Sequence, residues 1–132
     1  VETESAATSA ADTSAELFKD FTQWNDKVRM PLCCQFAFGV PSVVALRAIS
    51  EFSAGKVVEI GAGSGYWAKL LKSRHGVDVM CYDVDAGDHI DSKTGAGTKL
   101  HHIEHTLIQQ GGASCTQMHR DRTLFICWPP KD

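Results

Sequence analysis

Residues 57–71 read VVEIGAGSGYWAKLL, a β-branched run that passes through Gly61, Gly63 and Gly65 into a helix-forming segment. Glycines at such a bend let the main chain turn tightly and approach a ligand with no Cβ in the way. Glu59 stands just before the bend. Asp83 follows Gly61 by about 20 residues, the separation at which an acidic side chain ending the next strand accepts hydrogen bonds from a ribose diol. These residue types in this order offer nucleoside binding. A carboxylate beside the turn suits a cationic or amine-bearing ligand better than an anionic one. The dinucleotide fingerprint G-x-G-x-x-G requires a third glycine at position 66. Tyr66 stands there, followed by Trp67, which makes a poor seat for a diphosphate.

The elements that must hold these groups follow from periodicity and turn chemistry. Lys56 to Ile60 reads as a short buried strand, Tyr66 to Arg74 as a helix and Val77 to Tyr82 as a second strand, with Gly76 at the turn. This β-α-β unit predicts parallel, neighbouring strands joined by a right-handed crossover. Upstream, residues 1–12 are too poor in large apolar groups to order themselves and read as a disordered tail. From there, residues 13–132 read as one domain. Thr13 and Glu16 have capping-box spacing, and Leu17, Phe18, Phe21, Trp24 and Val28 recur on one helical face, which Met30-Pro31 should end. A second helix starts near Pro41, turns Val44, Ala48, Ile49 and Phe52 toward the core and stops at Gly55. Residues 85–100, rich in Asp and Gly, read as a mobile loop. Thr106 to Ile108 is expected as a short third strand, Ala113 to His119 as a short helix and Thr123 to Cys127 as a buried strand running into Trp128-Pro129-Pro130.

With these residues in view, the chain resembles the class I S-adenosylmethionine-dependent methyltransferases. "EIGAGSG" is similar to the first motif of that family and "CYDVD" to its second, acidic one. A branch of the family pairs a GAG-S/T-GYWA turn with a later WPP step, and both are present, over roughly residues 36 to 130. The resemblance implies an α/β fold, a Rossmann-like three-layer α/β/α arrangement with a mostly parallel sheet. It also implies S-adenosylmethionine as cofactor. Glu59 and the loop of Gly61, Ala62, Gly63 and Gly65 would embrace its methionine end, Asp83 would hold the ribose, and Tyr66, Trp67, Val84, Cys127, Trp128 and Pro129 would complete the cofactor site. Trp128 and Lys131 replace the polar and aromatic ends of the family's Asn/Asp-Pro-Pro-aromatic step. An indole cannot accept the hydrogen bond an Asn or Asp would, though it can stack on a substrate ring. The family continues through further strands after this step. The sheet is therefore expected to be incomplete at its C-terminal side, with the exposed edge covered by more polypeptide or by a second copy in a homodimer.

Other constellations carry less. His101, His102 and His105 invite a metal reading, but no carboxylate or cysteine completes a ligand set, and no metal is expected. Residues 94–99, TGAGTK, lack phosphate-loop spacing, and there is no nucleophile elbow. A catalytic base is not identifiable; Asp85 and His89 lie in the loop beyond Asp83 without a motif to support them. The 132 residues carry a formal net charge of −3 and 43% hydrophobic residues, with no basic run, so nucleic acid is disfavoured as a partner. No apolar stretch approaches the roughly 20 residues that span a bilayer. Five cysteines without a C-x-x-C pair fit a reduced, intracellular and cytoplasmic setting. The expected activity is methyl transfer to a small-molecule or protein acceptor. The alternatives are a catalytically degenerate nucleoside-binding module with the same fold and an NAD(P)-linked oxidoreductase, against which Tyr66 argues.

Overall fold

A computed structural model describes residues 3–86 and 103–127, with side chains from residue 13 onward. The chain divides into two compact units, Val1–Leu32 and Cys33–Asp132.

The first unit is helical. Helix α1 spans Thr3–Trp24, so it starts ten residues ahead of the expected Thr13, inside the stretch read as a tail. The alanines of that stretch are the cheapest residues to place in a helix, even where they bring little to pack. Nor does the helix end at Met30-Pro31. Asn25–Arg29 forms one π-helical turn, with the Met30 N–H bonded to the Asn25 carbonyl, and α2 continues over Met30–Gln35. Pro31 donates no hydrogen bond and its ring crowds the carbonyl four residues back; the wider turn just before it relieves that clash.

The second unit is α/β. Helix α3, Val43–Phe52, is capped by Ser42, whose Oγ accepts from the Ala45 N–H at 3.1 Å. Its buried stripe is Leu46 with Ala45 and Ile49 alongside, whereas Val44 and Phe52 face outward, against expectation. Leu46, Ile49 and Ser53 share the inner face at spacings of three and four, and packing against the core fixes that stripe as the buried one. Strand β1 (Lys56–Ile60), helix α4 (Tyr66–His75) and strand β2 (Asp78–Asp83) follow as the sequence predicts. Helix α4 ends on Gly76 at φ +65°, where the Gly76 N–H reaches Lys72 O and the Val77 N–H reaches Leu71 O at 3.2 Å. That pair of bonds is a Schellman closure, which only a left-handed residue permits. Strand β3 is Gln109–Gln110 and not Thr106–Ile108: the Thr106 hydroxyl accepts from Lys72 Nζ and Ile108 enters the core, so neither joins the ladder. A 3₁₀ turn over Ala113–Met118 leads to β4, Thr123–Phe125.

Among the described residues four strands form the sheet, all parallel, in the order β3-β2-β1-β4. Alternation sends Val57 and Glu59 of β1, Val79, Cys81 and Asp83 of β2, and Phe125 of β4 to one face. There Val57, Val79 and Cys81 pack with Trp67, Ala68 and Leu71 of α4 and Leu46 of α3 in a single core. At the amino ends of the strands, Arg122 donates to the Asp78 carboxylate at 2.6 Å and to the Asp78 carbonyl at 2.9 Å, while Lys56 pairs with Asp121. The Asp78 carboxyl is lowered first by its bond to Arg122. The carboxyl ends of the strands are left to the glycine bend.

Candidate functional site at the carboxyl ends of the strands

The bend after β1 is pinned from both sides. Gly61 and Ala62 N–H groups both donate to the Tyr82 carbonyl, at 2.9 and 3.1 Å, extending the β1-β2 ladder into the turn. The Gly63 N–H donates to Asp83 Oδ2 at 2.7 Å, and the Asp85 N–H donates to Asp83 Oδ1 at 3.0 Å. Asp83 thus has a role the sequence did not reveal: it clamps the glycine bend to the end of β2. Two backbone donors leave lone pairs on both oxygens of a carboxylate free to accept more.

Gly63 and Gly65 hold φ of +54° and +70°. Among the described residues, a Cβ at Gly61 or Gly63 would meet nothing within 4 Å, so the main chain there is open on that side. Gly65 is different, because a Cβ would lie 2.8 Å from the Thr106 methyl group and 3.4 Å from Ile108. The bend is therefore open over Gly61 and Gly63 and packed at Gly65, where α4 begins.

Glu59 is almost wholly buried, on the same face as Asp83. Burial pushes its carboxyl up to about 8, the Asp83 charge adds to the rise, and Lys72 and the Ala68 amide oppose it. The Cys81 thiol donates to Glu59 Oε2 at 4.0 Å, and burial, with Glu59 beside it, raises that thiol to about 12. At neutral pH Glu59 is a neutral acid in an apolar setting, a group that ionises when a cation arrives beside it.

The remaining residues named from sequence separate into groups. Ala62 is buried in the core. Trp67 also faces the core, its ring tilted against Phe125 at 5.3 Å, with its Nε1–H donated to the Gly39 carbonyl at 2.8 Å. Cys127 packs against the core beside Gly39, and its thiol is raised by burial. Val84 is exposed next to Gly112. Trp128, Pro129, Pro130, Lys131, His89, His101, His102, and the 94–99 segment lie outside the described residues.

Sequence reasoning passed over three groups that shape the rim. Ser64 is buried; its hydroxyl donates to the Phe36 carbonyl and its own carbonyl accepts from the His105 N–H at 2.8 Å. Phe36, Tyr66 and His105 gather their rings beside the bend, with Tyr66 4.9 Å from His105 and 5.3 Å from Phe36. His105 Nε2 lies 2.7 Å from the Gln35 carbonyl, which can only accept, so Nε2 carries the proton. A small polar residue between two glycines, and aromatics on both sides of the motif, were the signals available for these contacts.

The chain matches no family model, and no curated protein or solved structure matches it. Among the described residues no helix is long and apolar enough to cross a membrane.

Proposed function

We propose that this protein binds S-adenosylmethionine at the carboxyl ends of β1 and β2 and transfers its methyl group to an acceptor, within a Rossmann-like doubly wound sheet. The observation that carries the reading is the open main chain at Gly61 and Gly63 held by Asp83, with Glu59 on the same face. The strand order reverses at β1, with β2 and β3 on one side and β4 on the other, and such sheets receive ligands beyond the strand ends at that reversal.

The acidic pair suits this cofactor. The lone pairs left on Asp83 would accept from the ribose diol, and the glycine bend lets the main chain approach the aminoacyl end closely. Glu59 would pair with positive charge there, giving up its proton as the cation arrives beside it. When bound, the cofactor supplies an electrophilic methyl group on a sulfonium. The chain's contribution is to hold donor and acceptor in line and to keep water out. The Asp83 carboxylate beside the bend and Tyr66 in place of the third glycine disfavour a nicotinamide dinucleotide, whose diphosphate would meet negative charge.

Calorimetric titration with S-adenosylmethionine, S-adenosylhomocysteine and NAD tests the site. Binding of the first two and not the third is expected, with loss of about tenfold or more in Asp83→Ala, since one substitution removes both the ribose acceptor and the bend's clamp. Equal affinity in the variant would reject the assignment. Transfer of a radiolabelled methyl group to components of a cell extract then separates an enzyme from a binding module, which would bind and label nothing.

A further inference from the structure

Between the end of α2 at Gln35 and the Ser42 cap of α3 the chain forms neither helix nor strand, and none of residues 36–42 is buried. Side chains from the candidate site hold this segment by its main chain. Ser64 Oγ donates to the Phe36 carbonyl, Trp67 Nε1–H to the Gly39 carbonyl at 2.8 Å, and His105 Nε2–H to the Gln35 carbonyl at 2.7 Å. Gly39 also lies against Cys127, since a Cβ there would fall 2.8 Å from Cys127 Sγ. Ser64 and Trp67 follow β1 and Cys127 follows β4, so the segment reaches from the loop after β1 to the exit of β4. Those are the two flanks of the crevice at which the strand order reverses.

Resting on the reading of that crevice as a cofactor site, we propose that residues 36–42 form a lid over its β1-β4 flank, which lifts to admit the ligand and closes over it. The two sides of each tie differ in the way a lid requires. Ser64 and Trp67, which donate, are buried and fixed in place, whereas the carbonyls that accept belong to a segment with little buried surface to lose. Water replaces such hydrogen bonds at small net cost when the segment lifts. The φ and ψ changes of opening fall on residues outside any helix or strand, between two helix ends that stay where they are. Lifting bares the indole N–H of Trp67 and leaves its ring in the core. Closure excludes water from the place where donor and acceptor meet.

Gly39→Cys in the full chain gives the test. Oxidation should join the new thiol to Cys127, whose Sγ already lies within disulfide reach, and dithiothreitol should release it; peptide mass mapping verifies the bond. Stopped-flow association of S-adenosylhomocysteine is expected to slow by about tenfold or more in the oxidised protein and to recover on reduction. Gly39→Cys combined with Cys127→Ser should not respond to the oxidant. Exchange of the Trp67 indole N–H, followed by NMR without ligand, reads the opening itself. In the wild type it should proceed at a rate insensitive to low denaturant, as local opening does, and Ser64→Ala, with one tie fewer, should speed it about fivefold. Equal association in the oxidised and reduced protein overturns the lid. So does an indole proton that exchanges only through global unfolding or that Ser64→Ala leaves unchanged. A wild type that opens locally yet binds no S-adenosylhomocysteine overturns the cofactor reading and not the lid.

Discussion

Glu59 makes the sharpest demand on any account of this chain, because it buries a carboxyl beside Cys81 and within reach of the Asp83 charge. Its value rises from the ordinary 4.5 to about 8, so the folded chain keeps a proton that the unfolded chain releases. Stability contributed at this site is fully present below about 4.5 and is lost as pH rises toward about 8. Glu59→Gln removes the titration and retains the shape. We expect its melting temperature to fall less steeply than the wild type's between those limits, with a gain of about 4 kcal/mol at the upper one. Parallel melting profiles for the two proteins would contradict the burial argument. The glycines give a second residue-level expectation. Gly65→Ala meets both an unfavourable left-handed φ and the Thr106 methyl group, and should cost about 3 kcal/mol. Gly63→Ala meets only the φ and should cost about 1–2 kcal/mol, as chemical denaturation can measure.

Among the elements, the parallel sheet works from opposite ends. Arg122 ties β4 to the start of β2, and the glycine bend occupies the other end. Arg122→Ala should lower stability by about 1–2 kcal/mol, the loss of charge-assisted bonds to the Asp78 carboxylate and to the Asp78 and Val57 carbonyls. Cofactor affinity measured on the same variant should be unchanged, and a parallel loss of binding would show that the two ends are coupled. The β-α-β unit was legible from sequence because strand, glycine bend and helix each have a local signature that agrees with the others. The face that α3 buries was not legible. Val44 and Phe52 are as apolar as Leu46 and Ile49, and packing against α4 and the sheet, which the local pattern does not encode, selected between the two stripes. The continuation of the first helix through Pro31 was hidden for a similar reason: a proline marks a helix end unless a π turn precedes it, and nothing in the residue types of 25–29 announces that turn.

For the molecule as a whole, the candidate site was legible in its parts and not in its wiring. Spacing alone located Gly61, Gly63 and Asp83 at the ends of adjacent strands, since a strand, a turn and a helix of known rise fix that separation. What spacing could not carry was contact. The hold of Asp83 on Gly63, the turn of Trp67 into the core and the rings of Phe36 and His105 at the rim all join residues distant in sequence, by packing that no local pattern encodes. The account nevertheless comes down to one place, the open main chain between Gly61 and Gly63 and the carboxylate that holds it. The direct test is a backbone amide NMR titration of the full chain with S-adenosylhomocysteine. The account predicts that the largest, saturable shifts fall on the amides of residues 61–65 and 83–85. Absence of shifts at saturating ligand, or shifts concentrated away from the carboxyl ends of β1 and β2, would contradict it.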